Sequence, residues 1–229
     1  MLQNLDFISE SELTDWVKTH LDSGAKVLSA GYQGKTLLFQ QDQYQLVIKA
    51  PLGNFLTRPI NLALLRHEYR IYQQFADMKS VPVCYGMANN EYLVLEFIEG
   101  KTMRDYRPSI ESGFYDKLFS SIEEMHKRNV GHFDLKRKEN LLVTEDDSPK
   151  IIDFGVSVYK KGGFHWLNAF MFKMAKQFDY NAWIRHKYDR KYDQISEQDK
   201  LYYKKTRTES FSLSIKQFYK RNIKSLFTK

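Results

Sequence analysis

Two loop-like segments constrain this chain more than anything else in it. Gly131-His132-Phe133-Asp134-Leu135-Lys136-Arg137-Lys138-Glu139-Asn140 runs into the apolar Leu141-Leu142-Val143, and Lys150-Ile151-Ile152 runs into Asp153-Phe154-Gly155. An Asp, an Asn and a second Asp thus stand on loops edged by short strands. The runs at 141–143 and 151–152 bracket an acidic turn that ends in Pro149, the pattern of a hairpin. Any fold for this chain has to carry these two loops on one small hairpin.

The rest of the pattern surrounds that hairpin with two unlike halves. Ser9-Glu10-Ser11-Glu12 has capping-box spacing, and Leu13, Trp16, Val17 and Leu21 then share a face, so a short helix opens the chain. Short apolar runs at 27–28, 36–39 and 44–48, separated by Gly31, Gly34 and Gln41-Asp42-Gln43, predict an antiparallel meander. Pro59 starts a helix with apolar face Leu62, Leu65, Tyr69, Tyr72 and Phe75. Strand-like runs follow at 81–85 and 92–97. From Ser112, Tyr115, Leu118, Phe119, Ile122 and Met125 recur at helical steps, and the remainder is helical in spacing and rich in aromatics and Lys/Arg. The expected fold is α+β and two-lobed: a strand-rich N-lobe with leading helix over 1–98, a reduced, mainly helical C-lobe with its core over 99–158, and a basic aromatic region over 159–229. A cleft is expected where the lobes meet.

Charge and composition narrow the partners. Residues 156–229 hold 17 Lys/Arg against 6 Asp/Glu, whereas the first 155 hold 18 against 22, so a basic end sits on a slightly acidic body. That asymmetry favours an anionic partner or surface. No nucleic-acid motif accompanies the charge, so nucleic acid is not the expected partner. One cysteine, Cys84, excludes an internal disulfide and a cysteine zinc site. Acids near the N-terminus and the lack of a long uncharged apolar run point to a cytoplasmic protein.

Phosphoryl transfer from a nucleotide requires a carboxylate facing the acceptor hydroxyl, oxygen ligands for magnesium, and cations over the phosphates. Magnesium takes few protein oxygens, so one Asn and one Asp suffice. Lys49 ends a buried-looking strand, and Glu68 lies 19 residues on, in the helix from Pro59, where a carboxylate can hold the ammonium in place.

These stations in this order resemble the protein-kinase-like superfamily. Val47-Ile48-Lys49 is similar to the strand-lysine motif, Glu68 to its helix partner, and Leu93-Val94-Leu95-Glu96-Phe97-Ile98 to the hinge. His132-Phe133-Asp134 through Asn140 resembles the catalytic loop, and Asp153-Phe154-Gly155 the metal-binding loop. The resemblance implies ATP and Mg2+ as cofactors. It implies Asp134 as catalytic base with Lys136 steadying the transferring group, and Asn140 with Asp153 as metal ligands. It further implies that Lys49, Glu68, Gly31, Gly34, Glu96 and Ile98 bind the nucleotide.

Three departures stand beside it. The phosphate loop, Ser29-Ala30-Gly31-Tyr32-Gln33-Gly34, lacks a first glycine; five residues rather than four separate Asp134 from Asn140; and no A-P-E follows Gly155. The first two motivate an alternative, a pseudokinase that binds without turnover, and the basic tail with its interleaved tyrosines a weaker one, a nucleic-acid-associated kinase. The compact form resembles lipopolysaccharide core-sugar kinases and RIO-type kinases, so the implied acceptor is a hydroxyl of a protein Ser/Thr or of a glycolipid sugar. In the glycolipid case, peripheral contact with an anionic membrane at its inner face is implied for the basic aromatic segment Lys160-Lys161, Phe164-His165-Trp166 and Phe170-Met171-Phe172-Lys173. The competing reading places Phe170, Met171, Met174 and Phe178 in the core. His132 is expected to be structural. Lys187, Arg190 and Lys191 are expected to form a solvated face, and 209–229 a loosely held end.

Overall fold

In a computed structural model of the chain, residues 2, 5–31 and 34–204 are described. Ser9 opens helix α1 (Glu10–Ser23) as its spacing demands: its Oγ accepts the Glu12 N–H at 3.2 Å, and Glu12 Oε2 accepts the Ser9 N–H at 3.0 Å. Strands β1 (Val27–Ala30), β2 (Gly34–Gln41) and β3 (Tyr44–Pro51) follow as the antiparallel meander. Helix α2 (Arg58–Tyr72) carries Pro59 in its first turn, where a missing N–H costs nothing, and its last apolar residue, Phe75, lies in a single 3-10 turn beyond it.

The next strand differs from the sequence reading. It occupies β4 (Cys84–Ala88) instead of 81–85. Val81 closes a turn on Met78 and packs in the core, and Pro82 has no N–H for a ladder, so pairing begins only at Cys84, opposite Leu95. Strand β5 (Tyr92–Glu96) inserts between β3 and β4, giving the sheet order β1-β2-β3-β5-β4.

Side-chain alternation gives this sheet two packed faces. Leu37, Phe39, Leu46, Ile48, Ala50, Tyr92 and Val94 bury against Leu13 and Val17 of α1. Val47, Leu93 and Leu95 face the other way, toward α2 and the rest of the chain.

The second half is built on helix α3 (Phe114–Lys127) and the last turns of α4 (Trp166–Lys187). Trp183 donates its indole N–H to Tyr115 O at 2.7 Å, and Phe119 packs on the Trp183 ring. Short strands β6 (Lys101–Thr102), β8 (Leu141–Val143) and β9 (Pro149–Ile151) form the hairpin sheet. The second strand of the hairpin runs 149–151 rather than 151–152, and the Ile152 N–H bond to Asn140 O at 3.0 Å is the last rung of its ladder. A two-residue ladder joins β7 (Val130–Gly131) to β10 (Val158–Tyr159). A Cβ on Gly131 would stand 2.6 Å from Ala175 Cβ, so only glycine lets α4 lie against β7.

In α4 the core side is Phe172, Ala175, Asp179, Ala182, Trp183 and Ile184. This corrects the core reading for Phe170, which is exposed, while Met171, Met174 and Phe178 are half-buried. Lys187 is no merely solvated residue either: it pairs with Asp199 of the short α5 (Glu197–Lys200) at 2.9 Å and lies over the Trp183 ring. The segment 209–229 lies outside the described residues.

Candidate active site

The period of β3 decides where Lys49 goes. With Ile48 and Ala50 buried toward α1, Lys49 must emerge on the opposite face, beneath α2. There its Nζ donates to Glu68 Oε1 at 2.6 Å and to Asp153 Oδ1 at 2.9 Å. The Glu68 side chain is 5% exposed, and the same Oε1 accepts the Phe154 N–H at 3.2 Å. One carboxylate of α2 therefore ties the sheet to the Asp153-Phe154-Gly155 loop. Burial alone would lower the Lys49 pKa, but the Glu68 and Asp153 charges outweigh it and hold the ammonium above its ordinary range. Burial would likewise raise Asp153, and Lys49 reverses the direction, so this carboxyl is held below its usual range.

Phe154 anchors the loop. It is fully buried, with its ring about equally close to Tyr72 (5.1 Å), Phe75 (5.0 Å) and His132 (4.8 Å). Asp153 takes a left-handed backbone (φ 67°) to aim its carboxylate at Lys49 while Phe154 points inward.

The second loop hangs on a residue that spacing did not single out. Asp179 of α4 is fully buried. Its Oδ2 accepts the His132 N–H at 2.8 Å and faces His126 Nε2 at 3.0 Å, and its Oδ1 accepts the Phe133 N–H at 2.9 Å. These bonds hold Phe133 in a left-handed conformation (φ 73°), which turns the chain so that Asp134 leaves the core. A signal existed: Asp179 is an acid in the stripe of Phe172, Ala175 and Ala182, where an unpaired carboxylate could not be buried. His132 is structural, as expected. Its Nε2 donates to Ile152 O at 3.0 Å, leaving Nδ1 to accept the Asp134 N–H at 3.4 Å.

The extra residue between Asp134 and Asn140 is absorbed by consecutive turns, Arg137 N to Asp134 O (3.3 Å) and Asn140 N to Arg137 O (3.1 Å). Asn140 remains buried and donates Nδ2 to Asp134 O at 3.1 Å, bracing the loop from within. Burial raises the Asp134 carboxyl above its usual range; the Lys136 and Arg137 charges partly offset this, and the Asp153 charge adds to it. Lys136 is exposed, and Arg137 Nη1 lies 3.9 Å from Asp134 Oδ2.

Lys49, Glu68, Asp134, Asn140 and Asp153 are thus supplied by one strand end, helix α2 and two loops. Gly31 and Gly34 close the β1–β2 turn through a Gly31 N–H bond to Gly34 O at 2.9 Å. A Cβ on Gly34 would meet Ala50 O at 2.5 Å, so close strand pairing is itself enough to demand glycine there. Glu96 ends β5, its N–H on Val83 O and its carboxylate accepting the Val83 N–H, and Ile98 follows half-buried.

For a divalent cation, Asn140 and Asp153 present hard oxygen donors. With its Nδ2 on Asp134 O, the Asn140 amide has its oxygen left to ligate, and the Asp153 side chain is 46% exposed with only one oxygen shown on Lys49. That donor set fits magnesium, which supplements few protein oxygens with phosphates and water. Among the described residues, no group of three or more His, Cys, Asp or Glu could hold a metal alone.

Comparison with known proteins agrees with this arrangement. The protein kinase domain model matches residues 57–223. A probable serine/threonine-protein kinase of Dictyostelium discoideum is 40% identical over 85 residues, 34% of this chain and 10% of that protein. Maternal embryonic leucine zipper kinase of Danio rerio is 39% identical over 79 residues, 31% of this chain and 12% of the relative. CBL-interacting protein kinase 26 of Oryza sativa subsp. japonica is 28% identical over 138 residues, 58% of this chain and 26% of the relative. The chain thus spans about a tenth to a quarter of the length of these relatives.

Proposed function

Because the chain belongs to the protein kinase domain family, we propose that it is an ATP- and magnesium-dependent phosphotransferase, moving the γ-phosphoryl group to a hydroxyl acceptor. The observation that carries this reading is Lys49 Nζ held between Glu68 and Asp153. An ammonium fixed at that point is oriented for phosphate oxygens before any nucleotide arrives, which is the positioning such transfer needs. The Glu96 and Ile98 backbone would receive the adenine, and Gly31 and Gly34 would let the backbone approach the phosphates.

Asn140 and Asp153 would hold magnesium, which when bound neutralises phosphate charge. Asp134 accepts the proton of the acceptor hydroxyl as its oxygen attacks. The raised pKa of Asp134 suits a proton acceptor, and the Asn140 bond to its carbonyl keeps the loop in place. Lys136 would balance charge on the transferring group.

The names of the relatives favour a serine or threonine hydroxyl as acceptor. One observation favours a second reading, a sugar hydroxyl of a glycolipid such as lipopolysaccharide core. Only residues 156–165 separate Gly155 from α4, and β10 consumes two of them, leaving little chain for a peptide-docking platform. Incubating the chain with γ-labelled ATP and a lysate divided into protein and lipid fractions tests both. Label in either fraction that disappears in Asp153→Ala supports phosphotransfer. ATP binding without any transfer refutes it and favours a scaffold role.

A further inference from the structure

From Phe154 to Phe178 the chain carries Lys160, Lys161, Lys173 and Lys176 and no Asp or Glu. The same stretch holds the most exposed aromatic of the described chain, Phe164 at 92%, with Trp166 at 69% and Leu167 and Phe170 each more than half exposed. At about 100° per residue, Trp166, Leu167 and Phe170 fall on the side of α4 opposite Phe172, Ala175 and Asp179, which bury into the core. Lys173 stands on the aromatic side, a turn further along.

This face is not a loose end. Lys161 N–H donates to Asn168 Oδ1 at 2.7 Å, and Asn168 Nδ2 donates to Tyr159 O at 2.9 Å, so the first turn of α4 is laced to β10. Lys160 N–H donates to Asn129 O at 2.8 Å, and β10 pairs with β7, whose chain continues directly into His132-Phe133-Asp134. Phe178, two to three turns beyond Phe170 on the same helix, touches the Phe133 ring at 4.9 Å. At about 1.5 Å per residue the exposed aromatics therefore lie about 12–18 Å along α4 from the loop that carries Asp134.

A cluster of exposed Trp, Phe and Leu needs a covering, since such contiguous patches mark interaction sites. Lysine chooses among the coverings. Protein interfaces favour Trp and Phe but are depleted in Lys, and a second copy would set these lysines against like charge. An anionic lipid surface accommodates both classes at once: aromatic rings settle at the headgroup level, and each nearby Lys gains from the negative surface potential. We propose that Phe164 and the Trp166, Leu167 and Phe170 face of α4, with Lys160, Lys161, Lys173 and Lys176, dock this protein peripherally on an anionic bilayer. Among the described residues no helix is long and apolar enough to cross one, so the contact is made from the surface.

The test uses the full chain and no nucleotide, so its outcome is independent of the phosphotransfer experiment. Sedimentation with vesicles of phosphatidylglycerol and phosphatidylcholine is compared with phosphatidylcholine alone. The chain should bind the anionic vesicles and not the zwitterionic ones. Trp166→Ala with Phe170→Ala should weaken binding about tenfold or more, with the thermal midpoint unchanged because both side chains face solvent. Replacing the four lysines with Gln should abolish the preference for anionic lipid. Trp166→Phe should still bind but lose the blue shift of tryptophan emission on vesicle addition. No vesicle binding overturns the proposal, as does wild-type binding by Trp166→Ala/Phe170→Ala, which would trace attraction to charge elsewhere. Self-association abolished by that same variant also overturns it and assigns the face to a second copy.

Discussion

Replacing Asp179 with Asn removes one charge and turns one acceptor into a donor, in a place where three N–H groups converge. The less costly amide orientation keeps its oxygen on His132 N–H and His126 Nε2 and points its NH2 at the Phe133 N–H. A buried N–H left facing another donor costs about 1–3 kcal/mol, and each of the two remaining bonds loses about 1 kcal/mol in going from a charged to a neutral acceptor. The total is about 3–5 kcal/mol, which for a chain of this length corresponds to a fall of roughly 6–20 °C in the unfolding midpoint. Phe133 would then lose the bond that keeps it left-handed, and Asp134 would shift with it. Calorimetry of the variant, set beside exposed Asp42→Asn, measures the first effect. Nucleotide binding and turnover measure the second, with binding largely kept because Lys49, Glu68 and Asp153 are untouched. A midpoint within about 3 °C of wild type, or full turnover, would refute the claim that α4 holds the Asp134 loop through this carboxylate.

Asp134→Asn should leave nucleotide affinity near wild type and abolish phosphate transfer, which equilibrium binding and labelled-ATP turnover resolve in parallel. Lys49→Met strands the buried Glu68 carboxylate and should cost about 3–5 kcal/mol, whereas Lys49→Met with Glu68→Leu should restore most of that stability without restoring transfer; urea unfolding and turnover separate the two. Gly131→Ala places a methyl 2.6 Å from Ala175 Cβ and should be destabilising by about 1–3 kcal/mol, with Ala175→Gly recovering part of the loss. His186 is pushed down to about 4, first by burial and further by Arg185, Lys138 and Arg107, against a bond to Leu135 O that acts the other way. Its folded form refuses a proton that the unfolded chain accepts below about 6.5. Stability should therefore be level above that pH and fall by about 2 kcal/mol between pH 6.5 and pH 5, a slope that His186→Asn removes.

Much of the fold was legible because the cues are local. The Ser9–Glu12 box, Pro59, the period of β3 and the helical steps from Tyr115 are decided by residues within a turn or two of one another, and the structure realises each. The strand at 81–85 was misplaced because an apolar run says nothing about which N–H groups have partners, and Pro82 removes one. Phe170 was read toward the core because periodicity identifies a stripe without saying which elements arrive to cover it. Phe172 and Ala175, on the opposite side of the helix, are buried instead, and Ala175 is the one that meets β7.

Asp179 marks the same boundary within the site. The pairing of Lys49 with Glu68 could be anticipated from the motif, since strand and helix are joined by a short connection. The bonds from Asp179 to His132 and Phe133 span more than forty residues, and no local pattern announces them.

By its order of residues alone, the chain determined most of its elements, its two-lobed character and the chemical types at Lys49, Asp134, Asn140 and Asp153. Hydrogen bonds between neighbours and the periods of strand and helix are enough for that. Only the tertiary structure decided that β5 lies between β3 and β4, that Asp179 carries the loop of Asp134, and that the start of α4 turns its aromatics to solvent. Those outcomes depend on which buried polar groups and apolar faces find partners far along the chain, a condition met only once the whole molecule has packed.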